Sequence, residues 1–299
     1  MKAKNLIDLH VHSTLSDGVL SPEELLVFAK NTGVKMLAIA DHETISSYDS
    51  YLPLAERFGI HLIPAIEINV SDFKRLHILG YFIQKRVEFE QYFQEFRKRN
   101  QEICYAVLES LKKEYGIKLT ALETVAYSPD RILDKKAIAK ILIARRWASN
   151  IKEVYDKYIG TAAKSYIPIE KMNAENAIKL IHKNGGVAVW AHPYTVSKNN
   201  GAELSSCEFD ALSKKLSSLL LDGIEVYTTK HSLKQKNNLL QIAKKYKLAI
   251  TGGSDFHSPV FHTMGISELT QEHIDVLCNK VRYKNNNARY IYQTHHERG

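Results

Sequence analysis

Acid and imidazole side chains recur in short clusters along almost the whole chain, each beside an apolar run that reads as a β-strand. The clusters are His10, His12 and Asp17; His42; Glu67 and His77; His192; and Asp255 with His257. Neighbouring runs include Ile7-Asp8-Leu9, Leu37-Ala38-Ile39-Ala40 and Val187-Ala188-Val189-Trp190. Strands that each deliver a metal-type donor at their end are how a β/α barrel assembles a polynuclear metal site at one face. This pattern limits the folds open to the chain, because distant segments must finish at one common rim. It makes a metallohydrolase the leading expectation.

A length of 299 residues allows one large barrel or two smaller domains, and 44% hydrophobic residues suffice for a full core, which excludes a disordered chain. The formal charge of +8 leans toward phosphate-rich partners. Three distant cysteines, Cys104, Cys207 and Cys278, form no Cys-x-x-Cys pair, so they read as reduced structural thiols rather than a disulfide framework or thiolate zinc site. No leader-like or bilayer-length apolar run is present, so the chain is expected in the cytoplasm, with no membrane and no obligate protein partner.

Strand and helix signals alternate from the start. Residues 6–9 form a short apolar run. Ser21-Pro22-Glu23-Glu24 has the N-cap, first-position proline and third-position glutamate of a helix start, and Gly33 stops that helix. Strands are expected at 36–40, 60–63 and 76–82, with a helix over 46–58. The alternation then breaks: 85–115 reads as one long charged helix, followed by helical segments near 134–149 and 150–159. Alternation resumes near Tyr166, with helices at 173–183, 208–221 and 231–246 and strands at 187–190, 223–227 and 248–251. The order predicts a parallel sheet or barrel made of 1–84 and 161–299, interrupted by a helical subdomain over 85–160.

In His10-Val11-His12, alternate residues of a strand point the same way, so both imidazoles face one side. Alone, the pair fits two surface histidines equally well. Glu67 ends the apolar run Leu62-Ile63-Pro64-Ala65-Ile66, where an unpaired buried carboxylate costs several kcal/mol. A pair of metal ions would compensate it. His77 lies between Leu76 and Ile78, His192 follows a strand, and Asp255 and His257 sit two apart after the last strand. Nitrogen and oxygen donors without thiolate suit zinc, manganese or iron.

Asp8-Leu9-His10-Val11-His12-Ser13, Ser16-Asp17-Gly18, Ala40-Asp41-His42, Pro64-Ala65-Ile66-Glu67-Ile68, His77-Ile78-Leu79-Gly80-Tyr81, Ala191-His192-Pro193 and Gly252-Gly253-Ser254-Asp255-Phe256-His257 together resemble the PHP superfamily of polymerase-associated and histidinol phosphatase domains. Within it the chain looks most like stand-alone phosphoesterases acting on nucleoside 3′,5′-bisphosphates and on short oligonucleotides from the 5′ end. The resemblance implies an α/β fold, a distorted (β/α)7 TIM-like barrel, holding two or three divalent ions. Manganese is the first expectation, with iron, zinc and magnesium as alternatives. By carry-over, His10, His12, Glu67 and Asp255 hold one ion. Glu67 bridges to a second on His77 and His192, and Asp17, His42 and His257 hold a third. Glu67 thereby enters the chemistry, and His231 is a candidate for phosphate contact or proton donation, or else a surface histidine at a helix start.

One departure stands out. Nucleotide-acting relatives carry an Arg-Pro-His-x-Ala-Arg run in the insert, where this chain has Lys135-Lys136-Ala137-Ile138-Ala139-Lys140. Lysine cannot reproduce arginine's bidentate fork. Lys135, Lys140 and Arg131 are the expected phosphate contacts. The competing readings are a small-metabolite phosphatase, such as one for histidinol phosphate, and a non-catalytic metal- or nucleic-acid-binding module.

Overall fold

A computed structural model describes residues 6–126, 133–198, 201–260 and 262–281. In chain order the elements are β1 (Leu6–Val11), α1 (Pro22–Thr32), β2 (Val34–Ile39), α2 (Ser47–Arg57), β3 (His61–Asn69), β4 (His77–Tyr81), α3 (Arg86–Tyr115), α4 (Ala121–Ala126), α5 (Lys135–Ala144), α6 (Ile151–Val154), α7 (Ala174–Lys183), β5 (Val187–Trp190), α8 (Ser206–Ser218), β6 (Gly223–Tyr227), α9 (Leu233–Tyr246), β7 (Ala249–Gly252) and α10 (Gln271–Cys278). All seven expected strands are present. Helices α4 and α10 are additions.

The local signals act as their chemistry requires. Ser21 Oγ accepts the Glu24 N–H at 3.2 Å while Glu24 Oε2 accepts the Ser21 N–H at 2.7 Å. This reciprocal cap satisfies two amides that helix α1 leaves without partners. Gly33 closes the helix at φ 84°, a left-handed value that glycine adopts without cost.

The strands form one mixed seven-stranded sheet in sequential order. A uniformly parallel arrangement is not what forms: β4 runs antiparallel to both β3 and β5. The reason is the connection. Residues 70–76 alone join β3 to β4, too few for the crossover of a dozen or more that a parallel pair needs. The sheet curls into a half-barrel. Its inner faces meet in one cluster containing Leu9, Ala38, Ala65, Leu79, Val189 and Ala249. Among the described residues no continuous ladder joins β1 to β7; instead β1 makes isolated bridges to the segment that follows β7, Val11 with Phe256 and Ile7 with Ile266. Helices α1, α2, α7, α9 and α10 cover the outside.

Helices α3 to α6 lie in sequence between β4 and β5. Phe89, Phe93 and Phe96, in the first half of α3, pack with Ile178 and Trp190 in the main core. Cys104, Val107 and Leu111, in its second half, pack with Ile138, Leu142 and Val154 in a separate cluster. One helix therefore serves two cores. Among the described residues no helix is long and apolar enough to cross a membrane.

Candidate metal centre

The rim of the sheet collects all nine acid and imidazole groups singled out above. His10 and His12 leave β1 on the same side, both fully buried, with their Nε2 atoms 3.2 Å apart. Glu67, near the end of β3, stands at the centre. Its Oε2 lies 3.3 Å from His10 Nε2, 3.2 Å from His12 Nε2 and 3.4 Å from His42 Nδ1. Its Oε1 lies 2.8 Å from His77 Nδ1 and 2.9 Å from His192 Nε2. Asp255 Oδ1 lies 3.1 Å from His12 Nε2 and 3.4 Å from His257 Nδ1. Asp17 Oδ1 lies 3.3 Å from His257 Nε2 and 3.5 Å from His12 Nδ1.

These atoms fall into three sets able to surround an ion: His10, His12, Glu67 and Asp255; His12, Asp17 and His257; and His42, Glu67 and His77. The first matches the expected grouping. In the others His42 sits with Glu67 and His77, while its Nε2 remains 3.8 Å from Asp17 Oδ2. His192 joins through Glu67. Donors bound at about 2.1 Å in near-tetrahedral array lie about 3.4 Å from one another. The separations in the first set, 3.1 to 3.6 Å, fit that spacing. Two further observations fit a cation. His42 Nδ1 and Asp255 Oδ1 are buried, and despite these close approaches neither makes an aligned hydrogen bond among the described residues. The donor set is also nitrogen and oxygen throughout.

The electrostatics agree. Burial alone would push the Glu67 carboxyl up, but His77, His10 and His42 outweigh it and hold it well below the usual range. Burial lowers His77 to about 4, even against the pull of Glu67, and lowers His42 and His257 as well. Ionised carboxylates beside neutral imidazoles are what a divalent cation requires of its ligands. His10 is the exception: burial opposes its charged form, yet Glu67 and Glu225 together raise it to about 10.

A supporting layer fixes the donors. Asp41 accepts the Ser13 N–H at 2.8 Å and the Ser13 and Ser16 hydroxyls at 2.6 Å each, ordering the loop that carries Asp17. His192 and Asp255 occupy positive φ, 26° and 51°, strain that a functional site stores and its surroundings must enforce. At Gly253 an added Cβ would meet the His10 backbone nitrogen at 2.6 Å, so only glycine lets the exit of β7 pass β1 there. Glu225 was not singled out from sequence. It is fully buried on β6, with Oε1 3.1 Å from His10 Nδ1 and Oε2 accepting the His192 N–H at 2.7 Å. The signal existed: Ile224-Glu225-Val226 is a carboxylate within an apolar strand, the same argument that marked Glu67.

The other expected contacts fare differently. His231 is buried beside the site; its Nδ1 lies 3.1 Å from Val226 O, and its Nε2 accepts the Tyr194 N–H at 3.5 Å. Lys135 donates to Ile167 O at 2.6 Å and rests over the Tyr166 ring. Lys140 is exposed on α5, and Arg131 lies outside the described residues. The residue of α5 that reaches the centre is Lys136, whose Nζ contacts Asp17 Oδ2.

A model of the PHP domain family matches residues 8–185. The chain is 30% identical over 260 residues to the 5′-3′ exoribonuclease Rnm of Escherichia coli, covering 85% of this chain and 86% of that protein. It is 27% identical over 258 residues to a 3′,5′-nucleoside bisphosphate phosphatase of Chromobacterium violaceum, covering 85% and 87%. A crystal structure from Bifidobacterium adolescentis, provisionally described as a metal-dependent phosphoesterase, superposes with TM-score 0.72 at 26% identity, covering 91% and 95%.

Proposed function

The chain belongs to the PHP domain family, and from that premise we infer that it is a metal-dependent phosphoesterase acting on nucleotides or on the 5′ ends of short oligonucleotides. The observation that carries this reading is Glu67, whose two carboxylate oxygens are shared among five imidazoles. Such an arrangement has little use except to hold more than one cation. His10, His12, Glu67 and Asp255 would hold one ion, His42, Glu67 and His77 a second, and His12, Asp17 and His257 a third. Bound there, divalent ions supply hydroxide near neutral pH and neutralise charge on the phosphoryl oxygens.

The chain's own residues do the rest. Glu225 orients His10 through its second ring nitrogen, as carboxylates do for metal-ligating histidines. Thr195 Oγ1 lies 2.7 Å from His192 Nδ1 and fixes that ring. The helical insert over 85–160 serves as a cap. Glu90 on α3 accepts the Ile45 N–H at 2.8 Å, and Arg97 on the same helix contacts Glu43 O, so the insert grips the loop that bears His42. A location in the cytoplasm belongs to the same proposal.

The test is phosphate release with manganese supplied, then iron, zinc and magnesium, comparing nucleoside 3′,5′-bisphosphates, 5′-phosphorylated oligonucleotides and histidinol phosphate. Turnover of the first two classes over the third is the expected result. Preference for histidinol phosphate would make it a metabolite phosphatase, and release from none would make it a binding module.

A further inference from the structure

Two lysines that the sequence did not single out touch the acid cluster from different elements. Lys136, in the first turn of α5, places Nζ on Asp17 Oδ2. Lys230, in the segment between β6 and α9, places Nζ on Asp255 Oδ2. The two aspartates lie on either side of His12 and His257, whose rings stack with centroids 4.2 Å apart. Each aspartate approaches both imidazoles: Asp17 Oδ1 is 3.5 and 3.3 Å from them, Asp255 Oδ1 3.1 and 3.4 Å. The two ammonium groups therefore flank the cluster, one held by the insert and one by the segment that follows β6.

Both carboxylates are also donors in the candidate cation sets. A carboxylate drawn onto a divalent ion retains little charge for a lysine. Cation loading would thus deprive Lys136 and Lys230 of their partners together. Lys230 is only 33% exposed, so its ammonium is not left fully to water. The result is a rim with two released cations beside bound metal, and an anion is the group that would neutralise it.

We propose that Lys136 and Lys230 grip the substrate phosphate, exchanging their aspartates for it when the metal ions bind. Lysine presents a compact charge with rotatable donors rather than a planar fork. The grip accordingly selects for phosphate charge more than for one orientation. It also couples two events: the metal-free protein keeps its lysines occupied and the loaded protein frees them. This inference rests on the metal reading above.

The experiment compares wild type with Lys136→Met, Lys230→Met and the two arginine replacements, each metal-stripped and manganese-loaded. Metal per chain is measured by elemental analysis, inorganic phosphate binding by calorimetry, and Tm by scanning calorimetry. In loaded protein each Met variant is expected to keep its metal and bind phosphate about tenfold more weakly, the size of one lost charge-assisted contact. Arginine should restore most of that affinity. In stripped protein the Met variants should melt lower than wild type, because an aspartate has lost its partner, and loading should erase the difference. Full metal content with unchanged phosphate affinity in both Met variants would overturn the grip and leave the metal reading standing. Wild type that takes up no metal would overturn both.

Discussion

Glu225 Oε1 lies 3.1 Å from Nδ1 of His10, on the ring edge opposite the one that faces Glu67. A carboxylate in that position sets the tautomer and the rotation of the imidazole, and the same side chain also holds the His192 backbone through its other oxygen. Replacing Glu225 with Gln keeps the volume but removes the charge. The expected outcome is metal affinity weakened about ten- to hundredfold with the fold retained. Metal titration beside circular dichroism measures both, and unchanged affinity would leave Glu225 a packing residue only.

Glu67→Gln acts on the centre itself. It leaves a neutral amide among five imidazoles that now have one carboxylate fewer to share. Phosphate release should be abolished, and bound metal should fall by at least one ion per chain. Full turnover with the metal count intact would remove Glu67 from the chemistry.

Asp72 ties the loop after β3 to α7 and α8. Its Oδ2 accepts the Ala174 N–H at 2.7 Å, and Lys215 Nζ reaches Oδ1 at 2.8 Å. Burial tends to raise this carboxyl, but Lys215 and the Ala174 amide outweigh it and hold it below the usual range. A depressed folded-state pKa contributes stability above the unfolded value and loses it as pH falls through the folded one. Asp72→Asn should therefore cost about 1 kcal/mol near neutral pH, the size of one such bond. That cost should shrink as the medium is acidified below about pH 4, the ordinary aspartate value. Denaturant midpoints at several pH values give the comparison, and a pH-independent penalty would rule out the charge as its source.

The cysteines should separate by reactivity. Cys104 is buried in the core of the insert, and burial raises its thiol to about 12, whereas Cys207 is exposed. Because the thiolate is the nucleophile, alkylation at about pH 8 should modify Cys207 rapidly and leave Cys104 protected until the chain unfolds. Mass spectrometry of native and denatured samples reads this directly. Prompt labelling of Cys104 would show that the insert opens far more readily than its packing implies.

Much of the site was legible because its donors lie at the ends of strands whose apolar runs are plain. The two-residue alternation of a strand is enough to put His10 and His12 on one side. The direction of β4 was less legible, since hydrophobic pattern is blind to strand polarity; only the shortness of 70–76 carries that information. Lys135 and Lys140 stand at the arginines of the relatives' Arg-Pro-His-x-Ala-Arg run and Lys136 at its proline, so the sequence points away from Lys136; neighbours on a helix point about 100° apart. Which of the two reaches the centre depends on how α5 docks, and that is set by contacts such as Lys135 with Ile167 O. Glu225 had a readable signal, but its partner on β1 is 215 positions away.

The reversed strand has a consequence for how this gene can drift. His77 opens β4 directly opposite Asn69, and Glu67 faces Leu79 in the same ladder. Adding or deleting a single residue in 70–76 would slip that pairing and turn the imidazole to the wrong face of the sheet. The connection between the two donors should therefore hold its length, while the distal end of the insert, anchored in its own cluster, is free to lengthen, shorten or change character.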